Sequence, residues 1–221
     1  MSWKNKRNLP IKGVALNDAD YMISRTSVVD GKKKVVWVCP FYAKWIGMLE
    51  RALGLAHKAA HPAYEDVGVC DEWLKFSNFK AWMETQVWHN LNLDKDILVP
   101  GNKVYSPDLC CFVDTSLNML LHRTQAIGPY PLGVIKTSGR NSYTAVCSGR
   151  SGHKTVDIIR KKTPEEAHAV WQATKIRIIQ ERINKYRDKP EYRADVEKAL
   201  YLRIDQLQSD FDNGRITTKL L

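Results

Sequence analysis

The chain has 221 residues, of which 44% are hydrophobic, so it is long enough for one or two domains with buried cores. Seven tryptophans and nine tyrosines exclude the composition of a disordered protein, and no apolar run reaches membrane-spanning length. The net charge of +10 favours a polyanionic partner such as nucleic acid, and no membrane contact is expected.

The five cysteines are odd in number and unevenly spaced, and no two of them form a Cys-x-x-Cys pair. Residues 1–4 do not begin a secretion signal. Together these observations predict reduced thiols in a cytoplasmic protein. A structural zinc site is not expected without a Cys-x-x-Cys pair. The cysteines are Cys39, Cys70, Cys110, Cys111 and Cys147.

The positive charge is concentrated in one segment. Residues 132–162 contain seven Lys and Arg against one Asp, a net charge of +6, whereas residues 1–131 contain 16 Lys and Arg against 13 Asp and Glu, a net charge of +3. The basic segment begins beside the string GPYPLG, which is the best linker or turn signal in the chain. We therefore predict two domains, residues 1–130 and residues 131–221.

The first predicted elements are mainly helical. Residues 1–12 are basic and polar and are predicted to form a loosely held arm, and a β-rich run follows at residues 35–38. Apolar residues recur at three- and four-residue spacing through residues 41–60, which predicts an amphipathic helix. The segment CDEWLKFSNFKAWMETQVW predicts a second helix, capped by Ser77 or Asn78. We expect the aromatic residues of both helices to pack in a core.

The segment LNLDKDILVPGNKVYSPDLCCFV contains two strand candidates. Residues 93–98 form the first and residues 103–105 the second, joined by a turn at residues 100–102. Asp114 or Thr115 can cap the leucine-rich helix that follows. The sequence thus predicts a hairpin that runs into a helix.

Four polar side chains on this hairpin and helix form a candidate metal site. Asp94 and Asp96 are two residues apart on the predicted strand, so both are expected to project to one face. Asn118 and His122 are four residues apart on the predicted helix, so they are expected to stack on one face. Carboxylate, amide and imidazole ligands suit a divalent metal ion with open water positions. The alternative from spacing alone is a solvated hairpin with His122 on the surface.

The segments CPFYAKWIGMLERAL, VCDEWLKFSNFKAWM and LDKD…GNKVYSPDLCCFV…N together resemble the phage HNH (His-Me finger) homing-endonuclease-like proteins over roughly residues 12–125. In that family a β-hairpin and a helix clamp one divalent metal ion against the scissile phosphate. The resemblance implies Mg²⁺ or Mn²⁺, double-stranded DNA as the substrate, no small-molecule cofactor, and a phage-encoded protein in the host cytoplasm.

The resemblance assigns roles to particular residues. A His on the first strand is the usual general base, and the string LDKDILVPGNK places Asp94 there. Asn118 stands where an Asn or His on the helix helps to hold the metal, with Asp96 and His122 as further ligands. Because a carboxylate is not an imidazole poised near pH 7, Asp94 serves as base, as metal ligand, or as the remnant of a lost activity. His89, just before the strand, is the alternative source of an imidazole.

Residues 131–182 predict three strands and a helix. Turns at residues 139–141 and 149–152 separate β-rich runs, and the string TPEE at residues 163–166 begins the helix with Thr as its cap. The elements LGV, Y-A-V and T-P-E-E-A resemble the three-stranded sheet and helix of the plant ethylene-response-factor DNA-binding domain, in which the sheet enters the major groove. The resemblance implies a DNA-binding sheet.

The basic side chains on or between these strands are the candidate DNA contacts, since Lys and Arg neutralise phosphates and Arg pairs with guanine. They are Lys136, Arg140, Arg150, Lys154, Arg160, Lys161 and Lys162. More helix is predicted beyond Ile183, interrupted or begun at Pro190, and residues 209–221 are expected to fray.

These expectations combine into an α+β fold. An HNH-like ββα-metal module precedes a three-stranded antiparallel sheet packed on a helix, with an additional C-terminal helix. The predicted function is metal-dependent DNA endonuclease. The alternative is a catalytically inactive DNA-binding phage protein, a regulator or an inhibitor of a host system, that reuses the fold. A scaffold that binds another protein through its aromatic surface fits the charge distribution least well.

Overall fold

The computed structural model describes residues 10–121, 128–149, 154–155 and 160–221. Helices and short strands are mixed along the chain, so the fold is of the α+β type. All five cysteines are free thiols, as predicted. Among the described residues, no helix combines the length and the apolar character needed to span a membrane.

The chain divides into two compact units. The first comprises Met1–His89 and Leu93–Phe112, and the second comprises Asn90–Asn92 and Val113–Leu221. The elements, in chain order, are β1 (Ser24–Val29), β2 (Lys32–Val38), α1 (Pro40–Leu53), α2 (Leu55–Ala60), β3 (Gly68–Val69), α3 (Phe76–Glu84), β4 (Asn92–Asp94), β5 (Val104–Tyr105), β6 (Cys111–Val113), α4 (Thr115–Leu120), β7 (Val134–Lys136), β8 (Tyr143–Ala145), β9 (Ser148–Gly149), β10 (Lys154–Thr155), β11 (Arg160–Lys161), α5 (Pro164–Tyr186) and α6 (Ala194–Asp212).

The core of the first unit is aromatic. Trp45 of α1 and Trp73 are fully buried, and Nε1 of Trp45 donates a hydrogen bond of 2.7 Å to the carbonyl oxygen of Trp73. Phe76 and Phe79 of α3 pack beside them, with ring centroids 5.3 Å apart for Trp45 and Phe76 and 5.0 Å apart for Trp73 and Phe79. The predicted apolar face of α1 and the predicted aromatic core are therefore confirmed. The predicted single helix over residues 41–60 is wrong, because Gly54 is extended and separates α1 from α2.

The start of α3 differs from the prediction. The helix begins at Phe76, so Ser77 and Asn78 lie inside its first turn and do not cap it. Oδ1 of Asp18 accepts a hydrogen bond of 2.9 Å from the Ser77 N–H. A carboxylate at a helix N-terminus satisfies a free N–H and interacts favourably with the helix dipole. The capping group therefore comes from a residue far away in the chain, which a local pattern does not reveal.

β4 and β5 do not form the predicted hairpin. β5 pairs in parallel with β3, whereas β4 pairs with β6. The residues between β4 and β5 form a loop held by Asn102, whose Nδ2 donates to the carbonyl oxygens of Lys95 and Val104. Oδ1 of Asn102 also accepts a hydrogen bond of 3.0 Å from the Val104 N–H. The amide thus occupies backbone groups that a hairpin ladder would have used, and the predicted hairpin is wrong.

The second unit contains a three-stranded antiparallel sheet packed on a helix, as predicted. The strand order is β11-β8-β7, and α5 packs against all three strands. Oγ1 of Thr163 caps α5 by accepting a hydrogen bond of 3.2 Å from the Glu166 N–H. Gly133 has a φ of +76°, and a Cβ there would lie 2.0 Å from the Trp171 ring, so only glycine permits this approach. α6 packs on α5 after a turn that contains Pro190.

α4 belongs to the second unit, whereas the predicted domains of residues 1–130 and 131–221 place it with the first. Asp114 caps this helix, as predicted. At the other end, Nζ of the buried Lys175 on α5 donates to the carbonyl oxygen of Leu120. Because the last carbonyls of a helix have no partner within it, this hydrogen bond joins α4 to α5.

Residues 209–221 are mostly exposed but are held to α5 and α6 by hydrogen bonds and by the buried Thr217 and Leu220, so the prediction that they fray is wrong. Thr217 is buried, and its N–H donates a hydrogen bond of 2.9 Å to Nε2 of His168. The carbonyl oxygen of Leu221 accepts one of 2.6 Å from Nε of the buried Arg203. The partners that hold this segment lie on α5 and α6, so its own polar composition did not indicate its burial.

Candidate functional site

Asp94 ends β4 and begins a tight turn, residues 94–97, which we call the Asp94 turn. Its Oδ1 accepts hydrogen bonds of 3.0 Å from the Asp96 N–H and 2.7 Å from the Ile97 N–H. An aspartate that binds the backbone two and three residues ahead favours a turn over an extended strand. β4 therefore ends at Asp94, and the prediction that Asp94 and Asp96 share one strand face is wrong.

The pKa of Asp94 is raised to about 6. Burial of the carboxyl is the main cause and the negative charge of Asp96 adds to it, while the two backbone N–H groups act in the opposite direction. At neutral pH such a carboxylate is mostly ionised, and it accepts a proton more readily than an ordinary aspartate does. Burial thus brings Asp94 close to the pKa range of a general base.

Lys95 within the Asp94 turn and Cys110 near it complete the surroundings of the carboxylate. Nζ of Lys95 lies 3.0 Å from Oδ2 of Asp96 and donates to the carbonyl oxygen of Asn102 at 3.1 Å. Burial raises the pKa of the Cys110 thiol to about 12, with a smaller contribution from the charge of Asp94. The thiol of Cys110 therefore stays protonated near neutral pH and is not a thiolate ligand or nucleophile there.

The chemistry of the Asp94 turn fits a magnesium or manganese ion. A divalent cation relieves the repulsion between two neighbouring carboxylates, and Mg²⁺ is commonly held by one or two carboxylates with water and substrate phosphate. Within the part of the chain that is described, no three His, Cys, Asp or Glu side chains are grouped to hold a metal ion. Two carboxylates alone do not make a closed structural metal site, which takes four protein ligands.

The other predicted metal ligands lie on different parts of the chain. Asn118 is half-buried on α4 in the second unit, whereas Asp94 belongs to the first, so their facing one another stays a prediction. His122 lies outside the described residues. His89, the alternative imidazole, is exposed and stacks on the Trp88 ring with centroids 3.7 Å apart.

A basic cavity of about 200 Å³ lies in the second unit, between the start of α4 and the end of α5. Arg182 and Lys185 of α5 and Lys189 just after it supply three cationic side chains. Across the described ranges, none of the three forms a salt bridge with a carboxylate. The complete lining is Asp114, Ser116, Leu117, Arg182, Lys185, Tyr186 and Lys189.

Asp114 is the one carboxylate in the lining of the basic cavity. Its burial alone would raise its pKa, but hydrogen bonds from Ser116 and Leu117 and the charge of Lys189 outweigh burial and lower it. Oδ1 accepts 2.6 Å from the Ser116 N–H and 2.9 Å from the Leu117 N–H. Asp114 is thus ionised as the cap of α4, and the three cations leave a positive balance that suits a phosphate.

The basic cavity was not predicted from the sequence. Its cations lie after the basic segment of residues 132–162. In that later part of the chain positive and negative residues are nearly equal in number. One sequence pattern could have predicted the cavity. Arg182, Lys185 and Lys189 are three and then four residues apart, and this spacing places their side chains on one side of a helix and its extension.

The predicted DNA-binding residues of the sheet lie on both of its faces. Arg160 pairs with Thr144 and is exposed on one face. Lys136 and Lys161 both pair with Tyr143, one residue along, and therefore lie on the opposite face. A DNA duplex lying on one face of this sheet would contact only part of the predicted set.

The remaining predicted DNA contacts lie at the ends of the strands. Arg140 is exposed in the turn between β7 and β8, and Lys162 is exposed just before α5. Arg150 and the side chain of Lys154 lie outside what is described. The basic segment therefore contributes dispersed cations, in contrast to the grouped cations of the basic cavity.

No protein-family model, curated protein or solved structure matches this chain. Its function is therefore inferred from the Asp94 turn, the order of the elements around it, and the placement of its cations.

Proposed function

We propose that this protein binds double-stranded DNA and cleaves phosphodiester bonds with the help of Mg²⁺ or Mn²⁺. The observation that carries the proposal is the position of the Asp94 carboxylate at the end of β4, where partial burial and the nearby Asp96 raise its pKa to about 6. The usual imidazole base is missing at this position, and a carboxylate with a raised pKa is a suitable replacement. Asp94 would take the proton of the water molecule that attacks the phosphorus.

The order of the elements supports the same proposal. β4 ends in Asp94, it pairs with β6, and β6 leads directly into α4, which carries Asn118. This is the succession of two paired strands and a helix that the HNH resemblance implies. The resemblance also predicts Asn118, Asp96 and His122 as metal ligands. A bound divalent ion would stabilise the charge on the leaving oxygen.

The cations of the second unit support DNA as the substrate. Arg182, Lys185 and Lys189 group around the basic cavity, and the cavity also borders the first residues of α4. Phosphate contacts position a protein on a duplex without reading its sequence. We therefore assign the basic cavity to the DNA backbone, and Arg160 on the sheet to a further contact.

Plasmid nicking in Mg²⁺, Mn²⁺ or EDTA tests the proposal. Asp94→Asn keeps an oxygen that can accept the two turn hydrogen bonds, but it removes the base and a metal ligand. We expect cleavage to fall about 100- to 10,000-fold while DNA affinity stays unchanged. Asp108→Asn, an exposed aspartate of the same unit, is the matched control and should cleave normally.

The pH dependence of nicking is a second readout. Because the base must be ionised, cleavage by the wild-type protein should rise as the pH increases through about 6. Wild-type protein that binds DNA but never nicks it in either metal would contradict the nuclease.

A non-cleaving DNA-binding protein is the second candidate. Two observations favour it: Oδ1 of Asp94 already binds two backbone N–H groups, and the Lys95 ammonium already neutralises Asp96. In this case Asp94 has a structural function only. Tight DNA binding without any metal-dependent nicking is the outcome that selects it.

A further inference from the structure

β1 and β2 form an exposed two-stranded ribbon, residues 24–38, which we call the ribbon. Asp30 and Gly31, with φ of +54° and +72°, connect the strands in the type of two-residue turn that suits the twist of a hairpin. Apart from Ser24, which is half-buried, every residue of both strands is exposed. The side chains of the ribbon therefore do not build the core of the first unit.

One face of the ribbon is basic. Cross-strand partners share a face, and Arg25 lies opposite Trp37, while Lys34 lies opposite Ser27 and Lys32 opposite Val29. Cζ of Arg25 lies 5.1 Å from the centroid of the Trp37 ring, a cation–π contact that restrains the guanidinium. This face thus presents three cations, one of them held in place by an aromatic ring.

The other face of the ribbon is mainly apolar. Val35 lies opposite Thr26, and Val28 opposite Lys33. Val28 and Val35 are 64% and 60% exposed, far more than β-branched side chains in a packed sheet. A register shift between Arg25 and Thr26 marks a β-bulge, which increases the local twist of the ribbon.

The charge of the ribbon indicates the partner. Residues 24–38 contain four cations against Asp30, a net charge of +3. The three consecutive lysines directly follow the turn, at the tip. Among the described residues, Lys34 is the one lysine of the three that pairs with a carboxylate, Asp30, at 3.3 Å. Lysines on an edge strand disfavour the addition of a strand from a second copy. A polyanion is therefore the complementary partner.

We propose that the ribbon is a second DNA-contacting element, which enters a groove of the duplex. A two-stranded ribbon fits the major groove of B-DNA. Lys33 lies on the face where Val28 and Val35 meet apolar edges of the bases such as thymine methyl groups. Lys32 and Lys34 extend from the opposite face at the tip toward the backbone phosphates that border the groove. This inference rests on the DNA binding of the proposed function but not on cleavage.

The test compares two variants of the full chain in binding titrations on a short mixed-sequence duplex at several salt concentrations. In the first variant Lys32, Lys33 and Lys34 are all changed to Gln, which preserves length and exposure. Each lost phosphate contact lowers the slope of log affinity against log salt by about 0.9, so we expect a decrease of about 2 to 3 and an affinity loss of roughly 10- to 100-fold at low salt. Lys198→Gln, on the exposed side of α6, is the control and should change neither quantity.

The possible outcomes separate the ribbon from the rest of the protein. If wild-type protein binds DNA and the triple variant retains its affinity and salt slope, the ribbon inference is overturned while the proposed function stands. If wild-type protein does not bind DNA at any salt concentration, both are overturned. If the triple variant changes the sedimentation of the free protein and not its DNA affinity, the ribbon is a self-association surface and the inference is overturned.

A second, more conservative variant tests the ribbon with little risk of unfolding it. Val35→Thr keeps the branched shape and the β-propensity but places a hydroxyl on the apolar face. With the ribbon in a groove, we expect weaker affinity with an unchanged salt slope, because no phosphate contact is removed. If Val35→Thr binds AT-rich and GC-rich duplexes as tightly as the wild type, the apolar face is not in the interface and groove insertion is overturned.

Discussion

The two units bury different kinds of side chain. In the first unit the large buried side chains are aromatic and aliphatic. Among its described residues, Lys95 is the one charged or polar residue that is buried. The second unit buries a set of polar groups on α5, on α6, in the turn between these helices and near the C-terminus. They are His168, Gln172, Lys175, Glu191, Arg203 and Thr217, together with Thr144 of the sheet.

This difference indicates which interactions stabilise each unit. Apolar packing tolerates changes that preserve volume, whereas a buried hydrogen-bond network requires each partner in one geometry. His168 shows the second case, because its Nδ1 lies 2.9 Å from the Leu132 carbonyl oxygen and its Nε2 accepts from the Thr217 N–H. We expect volume loss to destabilise the first unit most, and loss of a hydrogen-bonding partner to destabilise the second.

The largest effect should come from Trp45→Ala in the aromatic core. Trp45 is fully buried, and its removal leaves a large cavity and an unpaired Trp73 carbonyl. We expect a loss of about 3–5 kcal/mol in the free energy of unfolding, measured by urea titration. Trp37→Ala, at an exposed position in the ribbon, is the control and should cost less than about 1 kcal/mol. Equal losses for the two tryptophans would contradict the aromatic core.

Asp94→Asn should stabilise the protein at neutral pH. Because the folded-state pKa of about 6 lies above the ordinary value of 3.8, the contribution of Asp94 to stability is fully present below 3.8 and is lost as the pH rises through about 6. An asparagine cannot ionise, so the variant should gain up to about 3 kcal/mol at pH 7 and little at pH 4. Unfolding titrations at both pH values measure this, with Asp108→Asn as the exposed control. A variant less stable than the wild type at pH 7 would contradict the burial of the Asp94 charge.

His168→Leu should destabilise the second unit by about 2 kcal/mol at pH 7.5, because it leaves a buried carbonyl and a buried N–H without partners. The pKa of His168 is lowered, mainly by burial, so its contribution to stability is present above the ordinary value of 6.5 and is lost as the pH falls below it. This is the opposite slope to that of Asp94. The variant should show a flatter pH dependence below 6.5 in thermal unfolding. A slope equal to that of the wild type would show that the ring is not held in its neutral form.

Lys185→Gln should have the smallest effect on stability and a measurable effect on binding. Lys185 is exposed at the basic cavity and is not part of the buried network. We expect a change in stability within about 0.5 kcal/mol, and a decrease of about 0.9 in the salt slope of DNA binding. Lys198→Gln on α6 is again the control. An unchanged slope would remove the basic cavity from the DNA interface.

Structural features that depend on residues close together in the chain could be predicted from the sequence. The apolar spacing along α1, the Thr163 cap of α5, the Asp114 cap of α4 and the turn at Pro190 each depend on residues within one or two helical turns. The three-stranded sheet also followed from local β-rich runs and glycine turns. The Asp30-Gly31 pair between two β-rich runs was a local hairpin signal as well, although only residues 35–38 of the ribbon were predicted as a strand.

Tertiary structure decided the features that depend on distant partners. Asp18 replaces the local cap of α3, β5 pairs with β3 instead of β4, and Lys175 joins α4 to α5. Asp94 could be named as a candidate site residue from the sequence. Its pKa of about 6, however, arises from burial and from the turn that places Asp96 beside it. The physical reason is that backbone periodicity and capping act over a few residues, whereas strand pairing and desolvation depend on which distant segments the folded chain brings together.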